Sequence, residues 1–123
     1  MNTTLTFAGN LVDDVELRYT PTGKAVASFR VLVNRRVKDG EQWKDGEPTG
    51  FNCEIWGVPA ENAAESYQRG NRVLVTGELI TEAWDKDGEK QTRPVVRVEE
   101  IAASTTFATV TITRAERSAA AQD

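Results

Sequence analysis

Apolar residues recur at every second position through most of this chain, and at helical spacing only once. That alternation puts successive side chains on opposite faces of extended strands, so it commits the chain to sheet before anything else is weighed. Leu5, Phe7, Gly9 and Leu11 alternate with Thr6, Ala8 and Asn10 in a first strand. Ala27, Phe29, Val31 and Val33 give the inner face of a second, opposite Ser28, Arg30, Leu32 and Asn34. FNCEIW, residues 51–56, is a third. Val73, Val75, Leu79 and Ala83 line the inner side of a fourth, with Gly77 marking a bulge or sharp bend. Residues 92–101 form a fifth, whose inward face is ambiguous because Val95, Val96 and Val98 do not share one parity. The exception falls between strands three and four. Pro59 suits a first helical turn, Ala60, Ala63, Ala64 and Tyr67 follow at helical spacing, and Gly70 is placed to stop the helix.

Turn chemistry supports these boundaries. TPTG at residues 20–23 combines a φ-restricting proline with a glycine free to take positive φ. KDGE occurs at Lys38, Lys44 and Lys86, which reads as reuse of Asp-Gly turns rather than a functional repeat. Residues 38–50 are a long loop or an extended hairpin arm. Residues 105–113 alternate again and are expected as a sixth strand outside the main sheet. Three strands, a helix and two more strands, curved and glycine-broken, predict an all-β protein: a five-stranded OB-fold barrel with one short helix between strands 3 and 4, plus an extra C-terminal strand. The expected division is 1–104 for the barrel, 105–113 for the added strand and 114–123 for a short flexible tail.

Several functions are disfavoured by composition. The 123 residues contain no histidine, one cysteine (Cys53) and no paired thiols, so the commonest general base, a zinc cluster and an internal disulfide are all missing. No run is long and apolar enough to span a bilayer, and the expected location is the cytoplasm. Asp13-Asp14 and Glu99-Glu100 read as solvated charges, and no glycine loop cradles phosphate. The reading is therefore a non-enzyme without cofactor or metal.

Two tryptophans point to a surface function. Trp56 shares the polar side of its strand with Asn52 and Glu54; Trp84 shares that of the fourth strand with Glu78, Ile80 and Glu82. Outward indoles on two strands of such a barrel suit base stacking first, burial between subunits second and packing under a loop third. Net charge is −4, yet residues 17–38 hold six bases (Arg18, Lys24, Arg30, Arg35, Arg36, Lys38) and no acid. Cations beside stacking rings describe a sequence-tolerant binder of single strands, whereas the one short helix, with two glutamates, is a poor reader of duplex grooves.

Three longer stretches, GNLVDDVELRYTPTGKAVASF, FNCEIWGVPAENAAESYQRGNRVLVTGEL and TEAWDKDGEK, together resemble the bacterial single-stranded DNA-binding proteins, most closely actinobacterial members. The resemblance covers residues 5 to about 110. It implies an OB-fold homotetramer that wraps single-stranded DNA during replication, recombination and repair, without catalysis. It places Trp56 and Trp84 at stacking positions. A third such position falls on Gly50, with Phe51 next to it as a substitute of inward parity; a fourth falls on Val37, for which Trp43 on the basic arm stands in. The candidate DNA-binding set is thus Trp56, Trp84, Phe51 and Trp43 with Arg30, Arg35, Arg36, Lys38, Arg72 and Lys90. Residues 105–113 resemble a strand that clamps subunits together. The family's acidic, hydrophobic-tipped tail, which recruits replication and repair proteins, is not matched by RSAAAQD, so recruitment through the tip is not assumed, and an accessory or phage-type member is an open alternative. Also open are an RNA-preferring or primosome-type OB module and a structural oligomer with its tryptophans between subunits.

Overall fold

A computed structural model describes residues 1–116. β1 (Thr3–Leu11), β2 (Glu16–Tyr19), β3 (Ala25–Val33), β6 (Thr49–Trp56), β7 (Arg72–Lys86) and β8 (Glu89–Ala103) form one sheet in the order β1-β7-β8-β6-β3-β2. The sheet curls until β3 meets β1 again through Asn10↔Leu32 and Leu11↔Val31. It is OB-like rather than a formally closed barrel. β6 and β8 run parallel through Cys53↔Val96 and Glu54↔Arg97, and the other pairings are antiparallel. Gly9 allows β1 to cross so close to β3, because a Cβ there would fall 2.5 Å from the Leu32 carbonyl oxygen.

The alternating residues fill the inside as their periodicity requires. Leu11, Ala27, Phe29, Val31, Cys53, Ile55, Val73, Val75 and Val96 make one buried cluster. α1 (Val58–Ser66) lays Ala60 and Ala63 into that cluster. It stops before Gly70, because Tyr67 leaves the helix in extended conformation and packs against the core, with its hydroxyl 3.5 Å from the Ile101 carbonyl.

The fourth strand departs from its expected pattern. The extra residue belongs to β8, not β7: Thr76 lies opposite Glu100 and Gly77 opposite Val98, leaving Glu99 between them without a cross-strand partner. Gly77 is required because the Arg97 carbonyl would collide with any Cβ there. The bulge explains the mixed parity of β8, since Val96 and Val98 face the core before it and Ile101 packs on the core after it. Leu79 and Ala83, predicted to be inward, are exposed. β1 pairs with β7 only as far as Thr3↔Leu79, so beyond that point β7 and β8 continue as a two-stranded ribbon with no layer beneath them. Asp87 and Gly88, both at positive φ, close the ribbon as a two-residue turn.

The arm is a hairpin of its own, β4 (Arg36–Asp39) and β5 (Gln42–Asp45), a separate two-stranded sheet. Within this chain residues 105–113, expected as an added strand outside the main sheet, pair with no strand, and Phe107 and Ile112 are exposed. The ladder between β7 and β8 ends at Val73↔Ala103, and one further bond, Ser104 N–H to the Arg72 carbonyl, exhausts the partners β7 can offer. Of the expected tail, residues 117–123 lie outside the described residues. Among those described, no helix is long and apolar enough to cross a membrane.

Candidate nucleic-acid interface

Strand register assembles one outer face from five strands. Trp56 lies opposite Val26, Glu54 opposite Ser28, and Asn52 opposite Arg30 across β6 and β3. Glu54 meets Arg97 on β8, which places Arg97, Val95, Arg93 and Gln91 on the same side. β7 adds Glu78, Ile80, Glu82 and Trp84 opposite those four in turn. β2 contributes Arg18, whose guanidinium donates to Ser28 Oγ at 2.8 Å. Trp56 and Trp84 therefore stand on one continuous face. Their positions against β8 differ by eight residue steps, on the order of 25 Å along the strands. Both rings remain accessible, at 40% and 42%.

Between them lies a groove of about 330 Å³ lined by Arg18, Arg30 and Arg93 and by Asp13, Asp14, Glu16, Glu54 and Glu82. Its floor is apolar where Val95 is buried on this side of the sheet. Arg30 donates to Asn52 Oδ1 at 3.0 Å and lies across Gly50, the position without a side chain. Arg93 has its Cζ 6.0 Å from the Trp84 ring centroid and pairs with Glu82 at 3.5 Å. Trp56 Nε1–H donates to Glu54 Oε1 at 3.4 Å, and Arg97 Nε is 3.7 Å from that same oxygen. Beneath the face, burial pushes the Cys53 thiol up to about 12 from its ordinary 9.0, with nearby Arg30 opposing the shift. The thiol is neutral and donates weakly to the Phe51 carbonyl at 3.7 Å, so it is no nucleophile.

The other sequence candidates scatter. Phe51 is turned inward and stacked on Phe7, with centroids 4.3 Å apart, so it is no part of the outer face. Lys90 pairs with Asp85 on the ribbon side opposite Trp84. Arg72 sits at the far end of β7, its Cζ 5.6 Å from the Phe107 ring centroid and its buried Nε without a hydrogen-bond partner. Arg35 precedes the hairpin arm that carries Arg36, Lys38 and Trp43, where Lys38 and Trp43 are cross-strand partners and Arg36 pairs with Asp45 at 3.7 Å. Arg93 and Arg97 are absent from the sequence-derived set. Their signal was present in the alternation Gln91, Arg93, Val95, Arg97, and the bulge at Glu99 obscured it.

A curled sheet with an aromatic, charged outer face defines the class: an OB-like fold. The solved structure of a small single-stranded DNA-binding protein from Streptomyces coelicolor matches the fold with a TM-score of 0.71, over 85% of this chain and 96% of that one, at 24% identity. The model of the single-strand binding protein family matches residues 1–104, and the chain belongs to that family. Similar relatives are the single-stranded DNA-binding protein of Mycolicibacterium smegmatis, 47% identical over 95% of this chain and 73% of its own length. Single-stranded DNA-binding protein 2 of Streptomyces coelicolor is also 47% identical, over 91% of this chain and 58% of its own length.

Proposed function

We infer that this protein binds single-stranded DNA with little regard to sequence, covering and protecting it during replication, recombination and repair, and catalyses nothing. The observation that carries this reading is the shared outer face, with Trp56 at one end, Trp84 at the other and arginines between. Stacking on an indole tolerates any base, and guanidinium groups meet the phosphates. Family membership and the names of the relatives support the same reading. The working form is a homotetramer in the cytoplasm, in which residues 105–113, left without a ladder partner in their own chain, pair with a neighbouring subunit. Sedimentation tests that assembly, and a monomer at micromolar concentration argues against it.

Titration with dT oligomers, followed by tryptophan fluorescence, tests the binding itself. Quenching that saturates, weakens with salt and is much smaller for a duplex of equal length is the expected result. Fluorescence that stays constant in a sedimenting oligomer assigns the tryptophans to a subunit interface instead.

A further inference from the structure

Both tryptophans of the outer face keep an arginine and a glutamate beside them, yet the two glutamates are not equivalent. Glu54 is the buried charged residue of the described chain, 9% exposed, and its Oε1 serves Trp56 and Arg97 together. A carboxylate so enclosed loses its compensation if Arg97 leaves, so that pair stays together. Glu82 differs. Its side chain is 40% exposed and that of Arg93 is 49% exposed, on the ribbon beyond the layered part of the sheet. Water can take over either partner there at little cost.

We propose that Glu82 is a built-in competitor of DNA phosphate for Arg93. Without DNA it holds the guanidinium near the Trp84 ring; when a strand stacks on Trp84, a phosphate oxygen replaces the carboxylate. Resting on the reading of this face as a single-strand surface, the proposal makes Glu82 a residue that sets how weakly and how reversibly the Trp84 end engages. Glu54 has no such role: it positions Trp56 and Arg97.

A salt signature follows from the exchange. A phosphate that neutralises a cation normally releases bound counterions into solution. A phosphate that displaces Glu82 frees a carboxylate, which attracts a cation back and offsets part of that release. Glu82→Gln removes the competitor while keeping a polar partner for Arg93.

The test is dT-oligomer binding measured at several salt concentrations for the unsubstituted protein and for Glu82→Gln, Glu54→Gln and Glu65→Gln, the last lying on α1. Wild-type quenching by dT establishes the surface first, and its absence overturns the functional reading rather than the competitor. Given that binding, Glu82→Gln is expected to bind about 2- to 5-fold tighter at low salt, the worth of one exposed pair, with a steeper log–log salt slope. Glu54→Gln is expected to bind no tighter than wild type. Equal tightening by Glu82→Gln and Glu65→Gln, or an unchanged slope for Glu82→Gln, overturns the proposal.

Discussion

The hairpin arm and the outer face are built from the same ingredients and differ in how firmly they hold them. On one side of the arm Trp43 and Lys38 are partners, as are Arg36 and Asp45, so a ring, two cations and a carboxylate lie together. The face places Trp84, Arg93 and Glu82 together in the same way. Trp43, however, stands on an isolated two-stranded sheet and is 60% exposed. Such a hairpin has little stability of its own, and its long side chains must be ordered when a ligand arrives. On the face, Trp56 is fixed by a hydrogen bond to a buried carboxylate, and Arg30 is fixed by Asn52. Affinity per side chain is larger where ordering has already been done. A dense run of cations in sequence is therefore a poor guide to which cations the fold already holds in place.

The sharpest way to break this comparison is to remove rings one at a time. Trp56→Ala and Trp84→Ala are each expected to weaken dT binding by about 1–3 kcal/mol while the oligomer stays intact. Trp43→Ala is expected to cost less than either. Titrations of the three variants side by side decide it, and a Trp43 effect as large as the others would make the arm the principal platform.

The cations of the arm have a smaller, different signature. Replacing Arg35, Arg36 and Lys38 together by alanine is expected to make the salt dependence shallower, by roughly 0.7 in log–log slope for each phosphate no longer neutralised. Short oligomers that reach only the face should register less of this change than long ones. A slope equal to wild type with long oligomers would leave the arm outside the phosphate path.

The last test reads stability rather than binding, in the buried layer under the face. Cys53 has its folded pKa raised to about 12 from 9.0 because burial disfavours the thiolate. The unfolded chain ionises first, so this contribution to stability is complete below pH 9 and is lost as pH rises towards 12. Melting temperatures between pH 9 and pH 11 should fall more steeply for wild type than for Cys53→Ala. Tyr67, also raised by burial and then by Glu100, titrates in both proteins and cancels from the comparison. Parallel curves would show that water reaches this thiol.

Much of this architecture is legible in the sequence because period-two alternation survives wherever a strand has one buried face. The inner set of β3, the outward parity of Trp56 and Trp84, the alanine face of α1 and the Asp87-Gly88 turn all follow from local pattern. Failures occur where a local pattern depends on a distant partner. Leu79 and Ala83 keep the inward parity of β7, but β1 reaches no further than Leu79, so the curled sheet does not close over them. Arg93 and Arg97 share a side with Trp84 through an unbroken register from the Asp87-Gly88 turn, but the bulge at Glu99, opposite Gly77 on another strand, mixes the parity of the valines that would show which side is outward. Phe51 shows the reverse: parity alone turns it inward, and its stack on Phe7 keeps it there. Arg72 and Lys90 look like further cations of the surface, yet the sheet carries them to its far end and its other side.

Gly50 has a consequence for anyone redesigning this protein. The family resemblance places a stacking ring at this position, so restoring an aromatic there looks like a simple gain of one base contact. The guanidinium of Arg30 occupies the volume directly above it, and any β-carbon would meet that group first. A ring at position 50 therefore pushes the Arg30 guanidinium aside, a shift that the flexible end of that side chain can make. With Arg30 meeting phosphate as proposed, Gly50→Trp would trade part of a salt-sensitive contact for a salt-insensitive one and so change the conditions under which the strand lets go.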